Sequence, residues 1–375
     1  MIRVLITGGG STVDVTELCP AVRWSGDYQQ CARTLEFSLV SSYTDKLLPG
    51  ARCELGDGVQ FYQDARLLFD GFVVSRQRST EGSTIDVTCF DRGWYLRRNT
   101  ASYAFSNKTP EAIARSICSD FGISVGELAA TGQTITRNFF GVTLYDMIIT
   151  AYNLAAQENG KKYYAGFEGT RFCVREKKAG GETLIIEGDV NLMDASVTES
   201  VENAVSRVVI YDENDKKVKT LEDDGRIRLY GVLQEYVKQS KDDDGEALKK
   251  AEELLAEGGA EQKITVGCLG NIANTSGGTV VVHEPYTGVY GLFYIDSDTH
   301  EWKNGQYYNS LTLNFKNLMD EKEAGSLPNK DGKKTAGKSS NKTNKVTKKS
   351  GSATSGETSG GTWNYTYNPD GSMRN

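Results

Sequence analysis

The first hundred residues alternate between apolar and polar positions in short runs. In residues 33–40 (RTLEFSLV), an extended chain places Leu35, Phe37 and Leu39 on one face and polar side chains on the other. Further strands are predicted at 52–55, 59–62, 67–74 and 83–90, with a hairpin turn at 56–58. Short strands at this spacing predict a small antiparallel β-barrel or sandwich over residues 1–98.

The pattern changes to a helical period in residues 99–180. Thr109, Pro110 and Glu111 combine an N-cap, a first-turn proline and a first-turn acid, and Gly122 follows the last apolar position of the same helix. The other elements predicted here are a helix over 143–159 and strands over 162–167 and 171–175. We therefore predict a small α+β module between two β-rich regions.

Residues 181–320 return to short β-strands. These strands are predicted at 183–187, 194–200, 204–211, 217–221, 226–230, 261–268, 279–283, 289–297 and 307–316. A helix over about 244–257 lies in an insertion at about 240–258. The expected fold class is α+β, mainly β, with a second antiparallel β-barrel in this region.

The periodicity ends at Asp320, and residues 321–375 form a basic, low-complexity tail. Residues 325–362 have almost no apolar side chains, so burial cannot offset the entropy of ordering them. Near the end, Trp363, Tyr365 and Tyr367 share one face of an extended chain. This aromatic segment is either a partner-docking strand on a flexible tether or a disordered end with incidental aromatic residues.

The charge of the 375-residue chain is unevenly distributed. The formal net charge is −7, but the nine basic and three acidic residues of 325–375 give +6 and leave −13 for residues 1–324. An acidic body argues against specific nucleic-acid binding, which needs clustered cations. No apolar run reaches the roughly 18 residues of a membrane span, and no signal peptide is expected at the N-terminus.

Several motifs resemble cofactor, metal or catalytic sites but lack residues that those sites require. The glycines at 8–10 are adjacent rather than spaced as in a dinucleotide fingerprint, so we predict a hairpin turn there and no cofactor. His283 and His300 are the two histidines, too few for a usual zinc hydrolase, and no metal site is predicted. No catalytic constellation is found. The seven cysteines lack a C-x-x-C pair and are expected to be buried free thiols.

Three stretches together resemble one protein family. The first is residues 67–74 (LLFDGFVV) with 85–91 (IDVTCFD), the second is residues 107–122 with the TLYDMII segment at 143–149, and the third is residues 204–211 and 230–234 with 291–315. Their motifs and order are similar to those of the baseplate hub proteins of contractile-tailed phages and phage-tail-like bacteriocins. The closest resemblance is to the hub of defective Bacillus-type prophages, and it spans about residues 1–320.

This resemblance implies a structural protein rather than an enzyme. Each chain would contribute two tube-like barrels, and a homotrimer would form a pseudo-sixfold ring that adapts a hexameric tail tube to a trimeric central spike. The implied partners are the tail tube protein, the spike protein, other baseplate proteins and a tape-measure protein. The protein would be made in the bacterial cytoplasm and end in the baseplate of a virion or tail-like particle. The alternatives are a tail-associated cell-surface binding module and, further away, a peptidoglycan hydrolase.

Overall fold

The computed structural model consists mainly of β-strands, most of them paired antiparallel. It describes residues 1–41, 50–79, 83–178, 184–241 and 245–328. Thirteen strands belong to one sheet, and three smaller sheets accompany it among the described residues. The predicted fold class, mainly β with a smaller helical part, is confirmed.

The N-terminal strands form one continuous part of the large sheet. They are β1 (Ile2–Gly8), β2 (Ser11–Asp14), β3 (Ala21–Asp27), β4 (Thr34–Val40), β5 (Gly58–Gln63), β6 (Arg66–Arg78) and β7 (Thr84–Asp91). The predicted hairpin turn at the glycines is confirmed, because Gly9 and Gly10 have positive φ angles of 60° and 85° between β1 and β2. That backbone conformation favours glycine.

A mixed module follows, with two small sheets and its own core. Its elements are α1 (Gly93–Arg98), β8 (Thr100–Lys108), α2 (Pro110–Asp120), β9 (Val125–Leu128), β10 (Ile135–Thr143), α3 (Leu144–Asn159), β11 (Tyr163–Glu168) and β12 (Arg171–Glu176). Both predicted helix starts are confirmed: Thr109 Oγ1 accepts from Ala112 N at 3.3 Å, and Thr143 Oγ1 accepts from Asp146 N at 3.1 Å. The antiparallel pairing of β8 with β10 was not predicted.

The C-terminal strands complete the large sheet around an inserted small domain. In chain order the elements are β13 (Leu184–Glu187), β14 (Leu192–Ser200), β15 (Arg207–Tyr211), β16 (Lys217–Glu222), α4 (Asp224–Tyr230), β17 (Gln234–Lys238), α5 (Glu246–Glu257), β18 (Glu261–Leu269), β19 (Thr279–Glu284), β20 (Val289–Lys303) and β21 (Gln306–Asn314). Strands β15, β16 and β17 form a separate sheet with α5 packed against it.

The two parts of the large sheet repeat the same strand order. In the first unit the strands lie in the order β3-β4-β7-β6-β5-β1, and in the second unit in the order β14-β18-β21-β20-β19-β13. The corresponding strands also follow one another in the same order along the chain. The units differ at one end, since β1 pairs antiparallel with β5 whereas β13 pairs parallel with β19.

The long strand β20 joins the two units. Its first half pairs with β19, and its second half pairs with β3 of the first unit over residues 297–303. The sheet therefore runs without interruption from one unit into the other, although each unit has its own apolar core. The predicted domain boundaries at 98/99 and 180/181 stay predictions.

Two predicted strands are wrong. Residues 226–230 lie in the short helix α4, which Asp223 caps through its side chain with Arg226 N at 2.9 Å. Residues 52–55 form a loop rather than a strand, and the Cys53 carbonyl accepts from the side chain of Arg76 instead of from a neighbouring strand. In both places a polar side chain forms a hydrogen bond with a backbone N–H or C=O group. In a strand, that group would bond to a neighbouring strand instead.

The residues after β21 return to the mixed module. We call residues 317–326 the C-terminal strap. Met319 lies in the core of the mixed module, and Asn153 Nδ2 of α3 donates to the carbonyl oxygens of Asp320 and Lys322 at 3.0 Å each. Ser326 pairs with Asn138 of β10. The first residues of the predicted tail are thus ordered against the mixed module, and the residues from 329 onward lie outside the described part of the chain.

Gly71 provides a test of the packing in the first unit. A Cβ atom at this position would lie 2.2 Å from the carbonyl oxygen of Phe90 and 2.6 Å from the ring of Phe69. We expect Gly71→Ala to lower the free energy of unfolding by about 1–3 kcal/mol, as overpacking does. Denaturant unfolding measures this loss. Gly188→Ala is the matched control, because among the described residues no atom outside Gly188 and its two chain neighbours lies within 4 Å of the added Cβ. Equal stability of the two variants would contradict the tight packing at Gly71.

Candidate functional site

A buried polar cluster lies where the two units meet. Trp24 lies on strand β3, Arg33 directly precedes β4, and Asp298 and His300 lie in the second half of β20. Pairing of β20 with β3 places His300 directly opposite Trp24. The site thus depends on residues that are more than 250 positions apart in the chain.

Arg33 and Asp298 form the central ion pair of this cluster. The guanidinium contacts both carboxylate oxygens, with Nη1 3.1 Å from Oδ1, and its Cζ atom lies 3.8 Å from the centre of the Trp24 ring. Asp298 is 1% exposed and Arg33 7% exposed. Burial alone would raise the pKa of Asp298, but the charge of Arg33 and the hydrogen bond from His300 lower it to about 2. Asp298 is therefore charged at neutral pH.

His300 connects Asp298 to a second group of polar side chains. Its Nε2 lies 3.1 Å from Asp298 Oδ2, and its Nδ1 lies 2.6 Å from the Tyr307 hydroxyl and 2.9 Å from Asn309 Nδ2. Asn309 Oδ1 accepts from Asn271 N, so the amide nitrogen of Asn309 faces the histidine. Nδ1 is then the acceptor and Nε2 carries the proton. Both ring nitrogens have partners inside the protein.

The cluster also reaches the mixed module. Ser276 N donates to Asp298 Oδ1, and the Ser276 hydroxyl lies 3.3 Å from the Tyr164 hydroxyl of β11. A cleft of about 780 Å³ opens beside Tyr164, and its lining includes side chains from the first unit, from β11 and β12, and from the loop before β19. One network therefore touches the first unit, the second unit and the module between them.

A second carboxylate, that of Asp91, accepts a hydrogen bond from the backbone of Arg33. Asp91 Oδ2 accepts from Arg33 N at 3.0 Å, and Asp91 Oδ1 accepts from Gly93 N at 2.8 Å. Burial raises the pKa of Asp91 to about 7, although these two hydrogen bonds and the charge of Arg33 act in the opposite direction. Asp91 thus fixes the entry to β4 and the start of α1.

The arrangement favours a structural role. The carboxylates and His300 are buried and already bound to protein groups, so the cluster presents no free base or nucleophile to a substrate. Among the described residues, no group of three or more His, Cys, Asp or Glu side chains could hold a metal ion. What the cluster does is fix the position of β3 against β20, since a buried ion pair tolerates little displacement.

The fold is that of phage tail proteins. A 43 kDa tail protein of prophage MuSo2 from Shewanella oneidensis superposes with a TM-score of 0.62 at 14% identity, covering 83% of this chain and 97% of that one. The c3393 protein of E. coli, described as a type VI secretion component similar in structure to the T4 tail proteins gp27 and gp5, superposes with a TM-score of 0.50 at 12% identity, over 87% of this chain and 79% of that one.

The chain belongs to the YqbQ-like family, whose model matches residues 22–314. XkdQ of the phage-like element PBSX from Bacillus subtilis (strain 168) is 28% identical over 309 residues, which are 80% of this chain and 94% of XkdQ. The resemblance to hub proteins of defective Bacillus-type prophages, drawn from the sequence motifs, is thereby confirmed.

The other candidate residues are His283, the cysteines and the three aromatic residues of the tail. His283 lies on β19, where it stacks on Tyr290 with 4.6 Å between ring centres and lies 3.7 Å from Glu187. All seven cysteines are free, and six of them are buried. Trp363, Tyr365 and Tyr367 lie outside the described residues, and their docking role stays a prediction. No helix of the described residues is long and apolar enough to cross a membrane.

The polar cluster was not predicted from the sequence. Arg33 and Asp298 are charged residues at the ends of alternating apolar runs, where a solvent-exposed position is the ordinary expectation. One signal was present: His300 and Trp302 occupy the inward-facing positions of β20, as their burial shows. A histidine at an inward position needs a buried partner, but its identity depends on a contact that the local sequence does not contain.

The ion pair predicts a non-additive response to mutation. Asp298→Asn leaves the buried Arg33 charge unpaired, and we expect a loss of about 3–5 kcal/mol in the free energy of unfolding. Arg33→Met should cost a similar amount, and the double variant should cost clearly less than the two single losses combined. Urea unfolding of the four proteins measures the coupling. Single losses that add within about 0.5 kcal/mol would contradict the pair. Lys238→Met is the control: Lys238 forms an exposed ion pair with Asp215, and its variant should unfold in urea close to wild type.

Asp91 predicts a specific pH dependence. Its pKa is about 7 in the folded protein against 3.8 for an unperturbed aspartate, so between about pH 4 and 7 the folded state holds a proton that the unfolded state has lost. The contribution of Asp91 to stability therefore falls as pH rises through this window. We expect Asp91→Asn to flatten the pH profile of stability between pH 4 and 7. Asp298 does not mask the effect, because its low pKa matters below this window. Parallel profiles of variant and wild type would contradict the raised pKa.

Proposed function

We propose that this protein is the structural hub of a tail baseplate. Three chains form a pseudo-sixfold ring that adapts a hexameric tail tube to a trimeric central spike. The partners are further copies of the chain, the tail tube protein, the spike protein, a tape-measure protein and other baseplate components. The site of action is the baseplate of a virion or of a tail-like particle. Relatives named as phage-element and tail proteins support the class.

The observation that carries the proposal is the repeated six-strand unit. One chain contains two such units, and both have the same strand order. Three chains therefore supply six similar units around one axis, which is what a protein needs in order to face a sixfold partner on one side and a threefold partner on the other.

The joint between the units supports the same proposal. A ring that transmits force between a tube and a spike needs a fixed angle between its two kinds of unit. Here the backbone pairing of β20 with β3, the Arg33–Asp298 pair and the contact of Tyr164 with Ser276 fix that angle within one chain. The C-terminal strap ties the mixed module to the end of β21 by further hydrogen bonds.

The proposal predicts a trimer with a six-lobed outline. We expect the purified full-length chain, alone or mixed with its tail tube protein, to give the mass of three chains by light scattering. Particle images along the symmetry axis should show six similar lobes around a channel. A protein that stays monomeric in both conditions and binds cell walls would favour the cell-surface binding module instead. Lysis of cell walls that one point mutation abolishes would favour a hydrolase.

A further inference from the structure

The strand β6 of the first unit has a β-bulge directly after Val73. Val73 exchanges two backbone hydrogen bonds with the loop before β5: its N–H donates to Asp57 O at 3.0 Å, and its carbonyl accepts from Gly56 N at 2.9 Å. Directly after Val73 the register against β7 shifts by one residue, so that Ser75 is the next paired position. Beyond this bulge, β5 no longer accompanies β6.

The strand β20 of the second unit has the same kind of β-bulge, directly after Ile295. Ile295 donates to Gly278 O at 3.0 Å and accepts from Gly277 N at 3.0 Å, in the loop before β19. The register against β21 also shifts directly after Ile295, and Ser297 is the next paired position. Val73 and Ile295 are therefore equivalent residues of a structural repeat, as are Ser75 and Ser297.

The equivalence extends across the neighbouring strands without further shifts. Following the ladders outward from Val73 and Ile295 gives three more equivalent pairs: Cys89 and Leu313, Leu35 and Ile264, and Trp24 and Val197. Strand β14 of the second unit thus occupies the place that β3 occupies in the first. The two units agree residue by residue across four strands.

The long strand of the second unit pairs with the first unit, but the equivalent part of the first unit's long strand has no partner among the described residues. Residues 297–303 of β20 pair with β3 on the same side of β20 on which β19 pairs with residues 289–294. Residues 297–300 of this stretch are equivalent to residues 75–78 of β6, which lie beyond the end of β5, and no described residue pairs with residues 75–78 on that side. The strand equivalent to β3 is β14, which pairs with β18 on one side and with no described strand on the other.

We infer that these two open edges pair with each other between two copies of this chain. Residues 75–78 of one chain add antiparallel to residues 197–200 of the next, with Ser75 opposite Ser200 and Arg78 opposite Val197. This register is the one that the β20–β3 joint has within the chain, transferred to equivalent positions. The inference rests on the proposed ring and assigns the residues that close it.

The charges at the open edges fit this register. Arg76 is equivalent to Asp298 and comes to lie opposite Glu199, which is exposed and equivalent to Gly26. Within the chain, the long strand β20 carries the carboxylate of Asp298, and the cation Arg33 lies on the other side of the joint. In the inferred joint between chains, the long strand β6 carries the cation Arg76, and the carboxylate of Glu199 lies on the other side. Arg76 already pairs with Glu54 of its own chain, and its guanidinium retains N–H groups for a second carboxylate.

The inferred contact also explains why such edges are present. An open strand edge is a site for uncontrolled association, and soluble proteins usually block it. In the described part of each chain, residues 75–78 of β6 and strand β14 each have an unpaired edge, and the two edges differ, so the contact is heterologous and propagates from chain to chain. It closes into a ring when the rotation between chains is one third of a turn. The eight strands β14-β18-β21-β20-β3-β4-β7-β6 of each chain then continue into the next chain.

A disulfide experiment tests the register. Gln77 and Thr198 lie opposite each other in the inferred pairing, and directly opposite residues have Cβ atoms about 4.5–5.5 Å apart. We expect the full-length variant Gln77→Cys/Thr198→Cys to form covalent dimers and trimers on mild oxidation, seen on a non-reducing gel. The single variants should form far fewer, as should Gln77→Cys/Ser196→Cys, whose second cysteine is two residues out of register on the same face.

The native thiols give a low background in this experiment. Burial raises the pKa of Cys19 to about 12 and that of Cys53 to about 11, so few of these thiols are ionised at neutral pH. Wild-type protein oxidised in parallel measures what remains.

A charge exchange provides an independent test. We expect Arg76→Glu and Glu199→Arg each to weaken self-association by about tenfold or more, as measured by sedimentation velocity. The double variant should recover most of the wild-type association. Thermal melting of each variant confirms that it is folded.

The outcomes separate the inference from the proposed function. A trimer that forms without the Gln77–Thr198 crosslink and is insensitive to both charge changes would overturn the inferred pairing and leave the hub proposal in place. A chain that stays monomeric, alone and with its tube protein, would overturn both. In-register crosslinking with rescue by the double charge exchange supports the pairing.

Discussion

The pairing of β20 with β3 is the interaction on which the rest of the molecule depends. Backbone hydrogen bonds along residues 297–303 convert two similar β-units into one sheet, and the buried pair of Arg33 and Asp298 fixes their register. A buried ion pair adds little net stability, because desolvation offsets the Coulomb attraction. Its value here is positional, since any slip of one strand past the other would leave a buried charge without its partner.

The rest of the chain is arranged around this joint by insertion. The mixed module lies between the two units in sequence, and the small domain with β15–β17 is inserted between β14 and β18. The six strands of each unit keep the same order although the mixed module separates the units in sequence and the small domain interrupts the second unit. The mixed module is held twice, through Tyr164 near the polar cluster and through the C-terminal strap on α3. Insertions at connections are tolerated because loop closure entropy rises slowly with length.

The repeat also gives a physical reason for the contrast between the joint within the chain and the joint that we infer between chains. The joint within the chain is buried and highly polar, which suits a contact formed once during folding. The edges at β6 and β14 carry exposed charged and polar side chains, as Arg78 and Glu199 do. Such edges remain soluble before assembly and still offer backbone groups for pairing. The proposed ring would use the same kind of strand pairing in two places: within each chain, where it forms during folding, and between chains, where it forms during assembly.

Local sequence determined much of this protein: the mainly β fold, the hairpin at the glycines, both long helices of the mixed module and most strands of the two units. These elements depend on signals within a few residues, such as the caps at Thr109 and Thr143. The same local reasoning failed at residues 226–230, where five alternating residues fit a strand but Asp223 starts a helix. Short windows do not separate these two outcomes.

Only the tertiary structure decided how the two units join and where the buried charges lie. Arg33, Asp298 and His300 meet through a strand pairing between distant parts of the chain, and no local pattern encodes which strands become neighbours. The internal repeat is likewise a property of register, because equivalent residues such as Trp24 and Val197 share position without sharing chemistry. Sequence specified the elements through short-range propensity and capping; their partners were set by burial and backbone pairing over long range.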